Sequence, residues 1–340
     1  MINRNQLERN DDLSIVLCGT AGSGVQTVEQ LLAQIFKRAG FHVFATKEYM
    51  SRVRGGLNST TLRVGPQPVR ANIDRMDILI PLNQGAVSHV KSRITEDTLI
   101  LCEPQFAQQA PDNSHVSEVD FTQIAQEIGN KLYSNIVAVG LLAGLLNISQ
   151  SSVSDSIRDR FGKKDTAIVE GNLQAVEKGY AIGRQLAAEQ KINFTIQPDP
   201  AVNDHMLISG VDAVGLGAIA GGCNFIGAYP MSPSTGLLTF LAKHGDEFGI
   251  VVEQAEDEIA AINMALGAWY AGARSIASSS GGGFALMTEG VSLCGMIETP
   301  LVIHIAQRPG PATGLPTRTG QEDLNLALYA GHGEFPRAIF

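Results

Sequence analysis

Short apolar runs that stop on glycine, followed by apolar residues at helical spacing, recur along this chain and set its fold class. The first run, residues 13–18 (LSIVLC), ends at Gly19 and reads as a buried strand. From Gly24 to Ala39 the apolar positions Val25, Val28, Leu31, Leu32, Ile35 and Phe36 return every three or four residues, the signature of one helix face. Gly40 closes that helix, and Val43-Phe44-Ala45 begins the next strand. Runs at 59–64, 76–82 and 97–102 read as further strands, with a helix over 83–92, and 120–188 reads as mostly helical. Strand–helix alternation of this kind predicts an open α/β sheet. Glycine, 36 of 340 residues, exceeds the ~7% norm and supplies the tight turns such a sheet needs.

The pattern breaks at 189–206, where Pro198 and Pro200 sit among polar residues and no helical period survives. Beyond it the alternation resumes, with helices at 211–221, 234–244, 256–271 and 284–296 and strands at 223–228, 249–253, 274–278 and 300–306. The expectation is therefore two open α/β domains, 1–190 and 207–340, joined by a linker at 191–206. The net charge of −9, from 34 acidic and 25 basic residues, excludes the basic footprint of a general nucleic-acid binder. The N-terminus MINRNQLERNDD lacks a signal peptide's apolar region, and the longest apolar stretch, Ile136 to Leu146, is far short of the ~20 residues of a membrane span. No CxxC joins Cys18, Cys102, Cys223 and Cys294, so they read as buried free thiols. The chain is expected to be cytoplasmic. Its apolar end, Ala338-Ile339-Phe340, directly after a motif-rich region, gives the expectation that the native chain continues.

Five constellations carry chemistry. Gly19-Thr20-Ala21-Gly22-Ser23-Gly24 lies between a strand and a helix, where backbone N–H groups can face an anion. Its spacing is not that of the dinucleotide fingerprint, and Glu48 is the nearest acidic residue for a ribose. Tight turn, phosphate site and interface all stay open. Arg52 and Arg54, beside Gly55-Gly56, suit a phosphate or a partner's carboxylate. Tyr229-Pro230-Met231-Ser232-Pro233-Ser234 follows a strand, where open α/β sheets bind ligands, and Ser234 is placed to cap the next helix. Glu256, Asp257 and Glu258 open a helix whose dipole accounts for carboxylates there. Glu258 alone directly precedes a small, apolar stretch (AAINMALGAWYAGA in the longer run), which makes it a candidate for proton transfer. Arg308 and Arg318 lie on a proline-rich loop after a strand and suit carboxylate binding.

Taken in order, AYPMSPST, QAEDEIAAINMALGAWYAGA, SSGGGFALMTEG, QRPGPATGLPTRT and DLNLALYAGHGEFPR resemble the α-subunit of 2-oxoacid:ferredoxin oxidoreductases over residues 207–340. GTAGSGV and the Tyr49-to-Gly56 loop are similar to that family's γ-domain, here fused ahead of the α-domain as in the 2-oxoglutarate-type enzymes. The resemblance implies that the second domain has a thiamine-diphosphate-binding, pyrimidine-type fold. It implies that Glu258 pairs with N1′ of the cofactor's aminopyrimidine, with Gly267 nine residues on, and that Pro230 lines the cofactor. Arg308 is implied to hold the 1-carboxylate of the substrate, Ser232 to bond its carboxylate or ketone, and Arg318 to hold a distal carboxylate, which favours 2-oxoglutarate.

The chain departs from the family at Ala21 and Ser23 of the γ-motif, at Ser232 where threonine is usual, and at Gly320 where many relatives have glutamate. It lacks the G-D-G diphosphate and metal motif and clustered cysteines. By the resemblance, Mg²⁺ and the iron–sulfur cluster belong to a β-subunit, so this chain supplies half of an active site. CoA, ferredoxin and a 2-oxoacid are the other implied partners, in a dimer of αβ units. The competing readings are a nicotinamide-dependent oxidoreductase, from the glycine turn, and a noncatalytic assembly subunit.

Overall fold

The computed structural model describes residues 8–9, 11–20, 22–50, 56–112, 114–189, 192–308, 316–317 and 322–340. The chain forms two compact units, Met1–Lys47 with Arg52–Leu207 and Glu48–Ser51 with Ile208–Phe340.

The first unit is built on β1 (Leu13–Thr20), α1 (Val25–Arg38), β2 (His42–Lys47), β3 (Leu57–Gly65), β4 (Ile78–Pro81), β5 (Leu99–Cys102) and β6 (His115–Glu118). The strands form one sheet in the order β2-β3-β1-β4-β5-β6. β3 runs antiparallel to β1 and β2, and β1, β4, β5 and β6 are parallel neighbours. Successive strand residues point to opposite faces, so a strand apolar at every position must be covered on both. Leu13, Ile15 and Leu17 accordingly join Val28, Leu31, Ile35 and Phe36 of α1, while Val16 and Cys18 meet Leu79, Ile100 and Cys102 on the other side. The helix expected over 83–92 is shorter, one turn at Ala86–His89 followed by a 3₁₀ turn at Lys91–Arg93.

Four helices follow: α2 (Phe121–Ile128), α3 (Ser134–Leu145), α4 (Gln150–Phe161) and α5 (Thr166–Glu189). α3 is buried from Ile136 to Leu145. It lies backbone to backbone on α5, since a Cβ at Gly140 or Gly144 would sit 2.2 Å from the carbonyl oxygens of Val176 and Tyr180. Residues 192–207, most of the stretch read as a linker, belong to the first unit. Asn193–Phe194 pairs with Glu8–Arg9, and Asp199 N donates to Gly40 O at 2.7 Å.

The second unit alternates α6 (Gly210–Ala220), β7 (Phe225–Ala228), α7 (Thr235–Lys243), β8 (Val251–Gln254), α8 (Glu258–Tyr270), β9 (Ser275–Ser279), α9 (Gly281–Leu286), α10 (Thr288–Met296), β10 (Val302–Ile305) and α11 (Asp323–Tyr329). Its four strands are parallel, in the order β8-β7-β9-β10. Cys223, Ile226 and Ile276 pack on Leu237, Leu238 and Leu241 of α7, and Ala277 packs on Ala261, Ile262 and Ala265 of α8. Cys18, Cys102 and Cys223 are buried and outside any disulfide, whereas Cys294, expected to be buried, is only partly so; burial pushes the Cys102 thiol up to about 11, so a structural role suffices for it. No helix among the described residues is long and apolar enough to cross a membrane.

Candidate active site

In the second unit the strand that follows β7 joins the sheet on one side of it, and β9 joins on the other. Such a reversal leaves a crevice at the carboxyl ends of the two central strands, the usual ligand position in an open α/β sheet. Tyr229 to Ser232 leave β7 there, Ser279 to Gly283 leave β9, Glu258 begins the helix after β8, and Gln307 and Arg308 follow β10. Three of the five sequence constellations, together with the SSGGG motif, thus send residues to one edge of this sheet.

The helix after β8 separates two carboxylate roles. Asp257 is the N-cap of α8, with Oδ1 accepting from Ala260 N at 2.7 Å. Glu258 is not needed for that, and only 3 % of it is exposed. Its Oε1 receives the Ser279 hydroxyl at 3.5 Å, and Ser279 Oγ also lies 3.9 Å from Met231 Sδ. Ser280 Oγ contacts the same sulfur, so Met231 spans from the β7 loop to the β9 loop. Gly283 faces this cluster closely: a Cβ there would be 2.0 Å from Ser279 Oγ and 2.6 Å from Glu258 Cγ. Glu258 and Ser279 pack together here because that position has no side chain.

Arg308 lies across the same edge. Its Nη1 donates to Ser232 O at 3.2 Å, and Nη2 is 3.9 Å from where a Gly282 Cβ would be. Arg308 Nε and Gln307 Oε1 are buried without a hydrogen-bond partner. A buried polar atom left unpaired costs about 1–3 kcal/mol, so these atoms call for a ligand group. On the other face of β9, Ser278 Oγ is 2.9 Å from His304 Nδ1, and burial lowers the His304 pKa.

Ser232 is exposed and Pro230 half-buried at the end of β7. Ser234 does not cap α7 with its side chain; its backbone is already helical, and its hydroxyl donates to Met231 O at 2.6 Å. Arg52, Arg54 and Arg318 lie outside the described residues. Among the described residues, Tyr49–Met50 pairs antiparallel with Pro316–Thr317.

In the first unit, the turn itself accounts for Gly19, Gly22 and Gly24. Gly22 and Gly24 have φ of 91° and 89°. A Cβ at Gly19 would lie 2.8 Å from Asn83 Oδ1, which accepts from Thr20 N at 2.8 Å. Sequence reasoning missed Met231, Gly283, Gln307 and Asp323 as site neighbours. All four stand inside the motifs already singled out, so motif membership was the available signal.

Comparison with known proteins bears on both units. Residues 14–182 match the family model described as pyruvate ferredoxin/flavodoxin oxidoreductase. Residues 216–340 match the model for the thiamine-diphosphate-binding domain of pyruvate flavodoxin/ferredoxin oxidoreductase. A 2-oxoacid:ferredoxin oxidoreductase subunit alpha from Sulfolobus is 30% identical over 96% of this chain and 59% of its own length. The 2-oxoglutarate synthase subunit KorA of Archaeoglobus fulgidus is 44% identical over 39% of this chain and 38% of its own. The 2-oxoglutarate:ferredoxin oxidoreductase of Magnetococcus marinus, solved with 2-oxoglutarate, coenzyme A and succinyl-CoA bound, superposes with a TM-score of 0.86 at 34% identity, over 96% of this chain and 57% of that one. The chain spans about three-fifths the length of these full-length relatives. Carrying both of its domains in order, the chain belongs to the pyruvate ferredoxin/flavodoxin oxidoreductase family, on the side of the 2-oxoacid:ferredoxin oxidoreductase α-subunits.

Proposed function

We propose that this chain is the α-subunit of a CoA-dependent 2-oxoacid:ferredoxin oxidoreductase, with 2-oxoglutarate as the favoured substrate. One observation carries the reading: Glu258 is buried at the switch crevice while its neighbour Asp257 does the helix capping. The residues present fit the pyrimidine half of thiamine diphosphate, given the buried carboxylate, its close packing with Ser279 over Gly283, and the orphaned donor and acceptor at Arg308 and Gln307. When bound, that cofactor supplies the carbon nucleophile and electron sink that decarboxylation of a 2-oxoacid requires.

The residues of this chain do the rest. Glu258 holds a proton at N1′ of the aminopyrimidine, and Ser279 orients the carboxylate through Oε1. Pro230 lines the cofactor. Arg308 offers Nε to the substrate's 1-carboxylate, and the Ser232 hydroxyl bonds the carboxylate or ketone. Arg318 takes the distal carboxylate. A β-subunit supplies the diphosphate and Mg²⁺ site and the iron–sulfur cluster, with ferredoxin as electron acceptor, in a cytoplasmic dimer of αβ units. In the first unit, Arg52 and Arg54 serve a phosphate or an interface, while Gly19, Gly22 and Gly24 form the turn. The family placement leaves the nicotinamide reading only the glycine turn, which backbone geometry already explains.

The test compares two substrates in the assembled enzyme. Losing one desolvated, charge-assisted contact costs about 2–5 kcal/mol. Arg308→Ala should depress turnover of both 2-oxoglutarate and pyruvate, whereas Arg318→Ala should depress 2-oxoglutarate far more than pyruvate. Equal losses for the two substrates in Arg318→Ala would reject the distal-carboxylate role. A wild-type enzyme that oxidises neither would reject the function.

A further inference from the structure

We propose that Asp323 is a positioning residue: its carboxylate ties the end of β10 to the end of β9 and thereby sets the place of Arg308. The proposal rests on the reading of Arg308 as the carboxylate-binding arginine. Asp323 opens α11, and its Oδ2 accepts from Arg308 N at 3.4 Å. The same carboxylate lies against Gly281, where a Cβ would fall 1.7 Å from Oδ1. It is therefore wedged between the residue that begins the turn after β9 and the arginine that follows β10. From that anchored backbone the Arg308 side chain reaches Ser232 O at the end of β7. One acidic side chain thus links, directly or through Arg308, three of the four strand ends that surround the site.

The geometry of α11 argues against two plainer roles. The helix is seven residues long and none of them is fully buried; Leu326 and Ala327 pack on the edge of the core, and Asp323 takes no part in that packing. Nor does the carboxylate cap its own helix, because the N-cap is Glu322 with no side-chain bond, and the Asp323 oxygen is directed to Arg308. What the helix does have is fastening at its far end. Arg337 donates to Ala327 O at 2.8 Å and to Ala330 O at 2.6 Å, and stacks on the Phe335 ring at 4.8 Å. Phe335 in turn fills the place a Gly295 side chain would take, and His332 N donates to Ser292 Oγ at 2.8 Å. The motif DLNLALYAGHGEFPR reads as a brace, held on α10 at one end and applied to Arg308 at the other.

Hydrogen–deuterium exchange of the full chain tests this without reference to catalysis. Asp323→Ala should speed exchange of the segments 302–308 and 279–284 about tenfold, the scale of one lost hydrogen bond. α8, α10 and the first unit should exchange as in the wild type. Asp323→Asn keeps a carbonyl acceptor of the same shape and should restore protection. Unchanged exchange at 302–308 in Asp323→Ala overturns the proposal. So does a uniform rise across the second unit, which would make Asp323 a general stabiliser. In the assembled enzyme, Asp323→Ala should raise KM for the 2-oxoacid about tenfold with kcat within about threefold, again restored by Asp323→Asn. Local loosening with an unchanged KM would uphold the positioning and count against Arg308 as the carboxylate site.

Discussion

Asp257 Oδ1 accepts the Ala260 amide, and Glu258, the next residue, is turned into the crevice beside Ser279. Substituting each separately should therefore give opposite results. Asp257→Ala removes a cap and should cost about 1 kcal/mol of stability, with kcat little changed. Glu258→Gln keeps size and hydrogen-bonding capacity but cannot hold a proton on the pyrimidine. It should leave the denaturation midpoint near wild type while kcat falls about 10²–10⁴-fold, the scale of a lost acid–base group, with KM moving far less. Paired urea melts and steady-state kinetics of the assembled enzyme would show it, and an intact kcat in Glu258→Gln would return that residue to a dipole role. Glu258 was legible in the sequence because a carboxylate beside an almost wholly small and apolar run is anomalous. Met231 and Asp323 were not, because their contacts join the ends of different strands. That proximity is a product of the order β8-β7-β9-β10, which local pattern does not encode.

At the scale of elements, glycine has two opposite meanings in this chain. Gly144 in α3 and Gly179 in α5 lie where helices touch through their backbones: a Cβ would be 2.2 Å from Tyr180 O at the first and 2.1 Å from Val137 O at the second. A carbonyl oxygen cannot swing aside as a side chain can, so the helices would have to separate. Gly144→Ala should destabilise by about 1–3 kcal/mol, the range for overpacked cores. Gly217 of α6 is helical too, yet nothing lies within 4 Å of its would-be Cβ. Gly217→Ala should stabilise by up to about 1 kcal/mol through helix propensity alone. The two urea midpoints should move in opposite directions, and a shift of the same sign in both would refute the close-packing account. The apolar, glycine-rich run at 139–146 was visible in the sequence, whereas its partner stripe, Gly171, Ala175, Gly179 and Gly183, was not. Polar residues between those positions mask the stripe. β6 went unread for a related reason: at the sheet edge, HVSE is only partly buried and carries no apolar run.

For the whole molecule, the question is how residues 192–207 are held. Prolines and polar side chains made this stretch read as a free linker, because the interactions that hold it leave no apolar period. They are backbone bonds, such as Asp199 N to Gly40 O, and polar ones, such as Lys37 Nζ to Asn203 O at 3.0 Å. The most specific joins Asp199 Oδ2 to Nε2 of buried His42 at 2.9 Å, with the His205 ring 5.5 Å from the His42 ring. The His42 hydrogen bond, followed by the Ala201 amide, holds the Asp199 carboxyl below its ordinary range. A carboxyl whose folded pKa lies below its unfolded value of about 3.9 contributes its full stabilisation above that value. The contribution then disappears as pH falls through the lower folded value. Asp199→Asn keeps the shape and an acceptor for the Ala201 amide, so comparison with the wild type isolates the charge. The gap between their urea midpoints should be present at about pH 5 and should close below about pH 4, where the wild-type carboxylate takes up its proton. A gap that is absent at about pH 5, or that persists unchanged well below about pH 4, would mean that the Asp199 carboxylate does not fasten this stretch, leaving the backbone bonds to hold it alone.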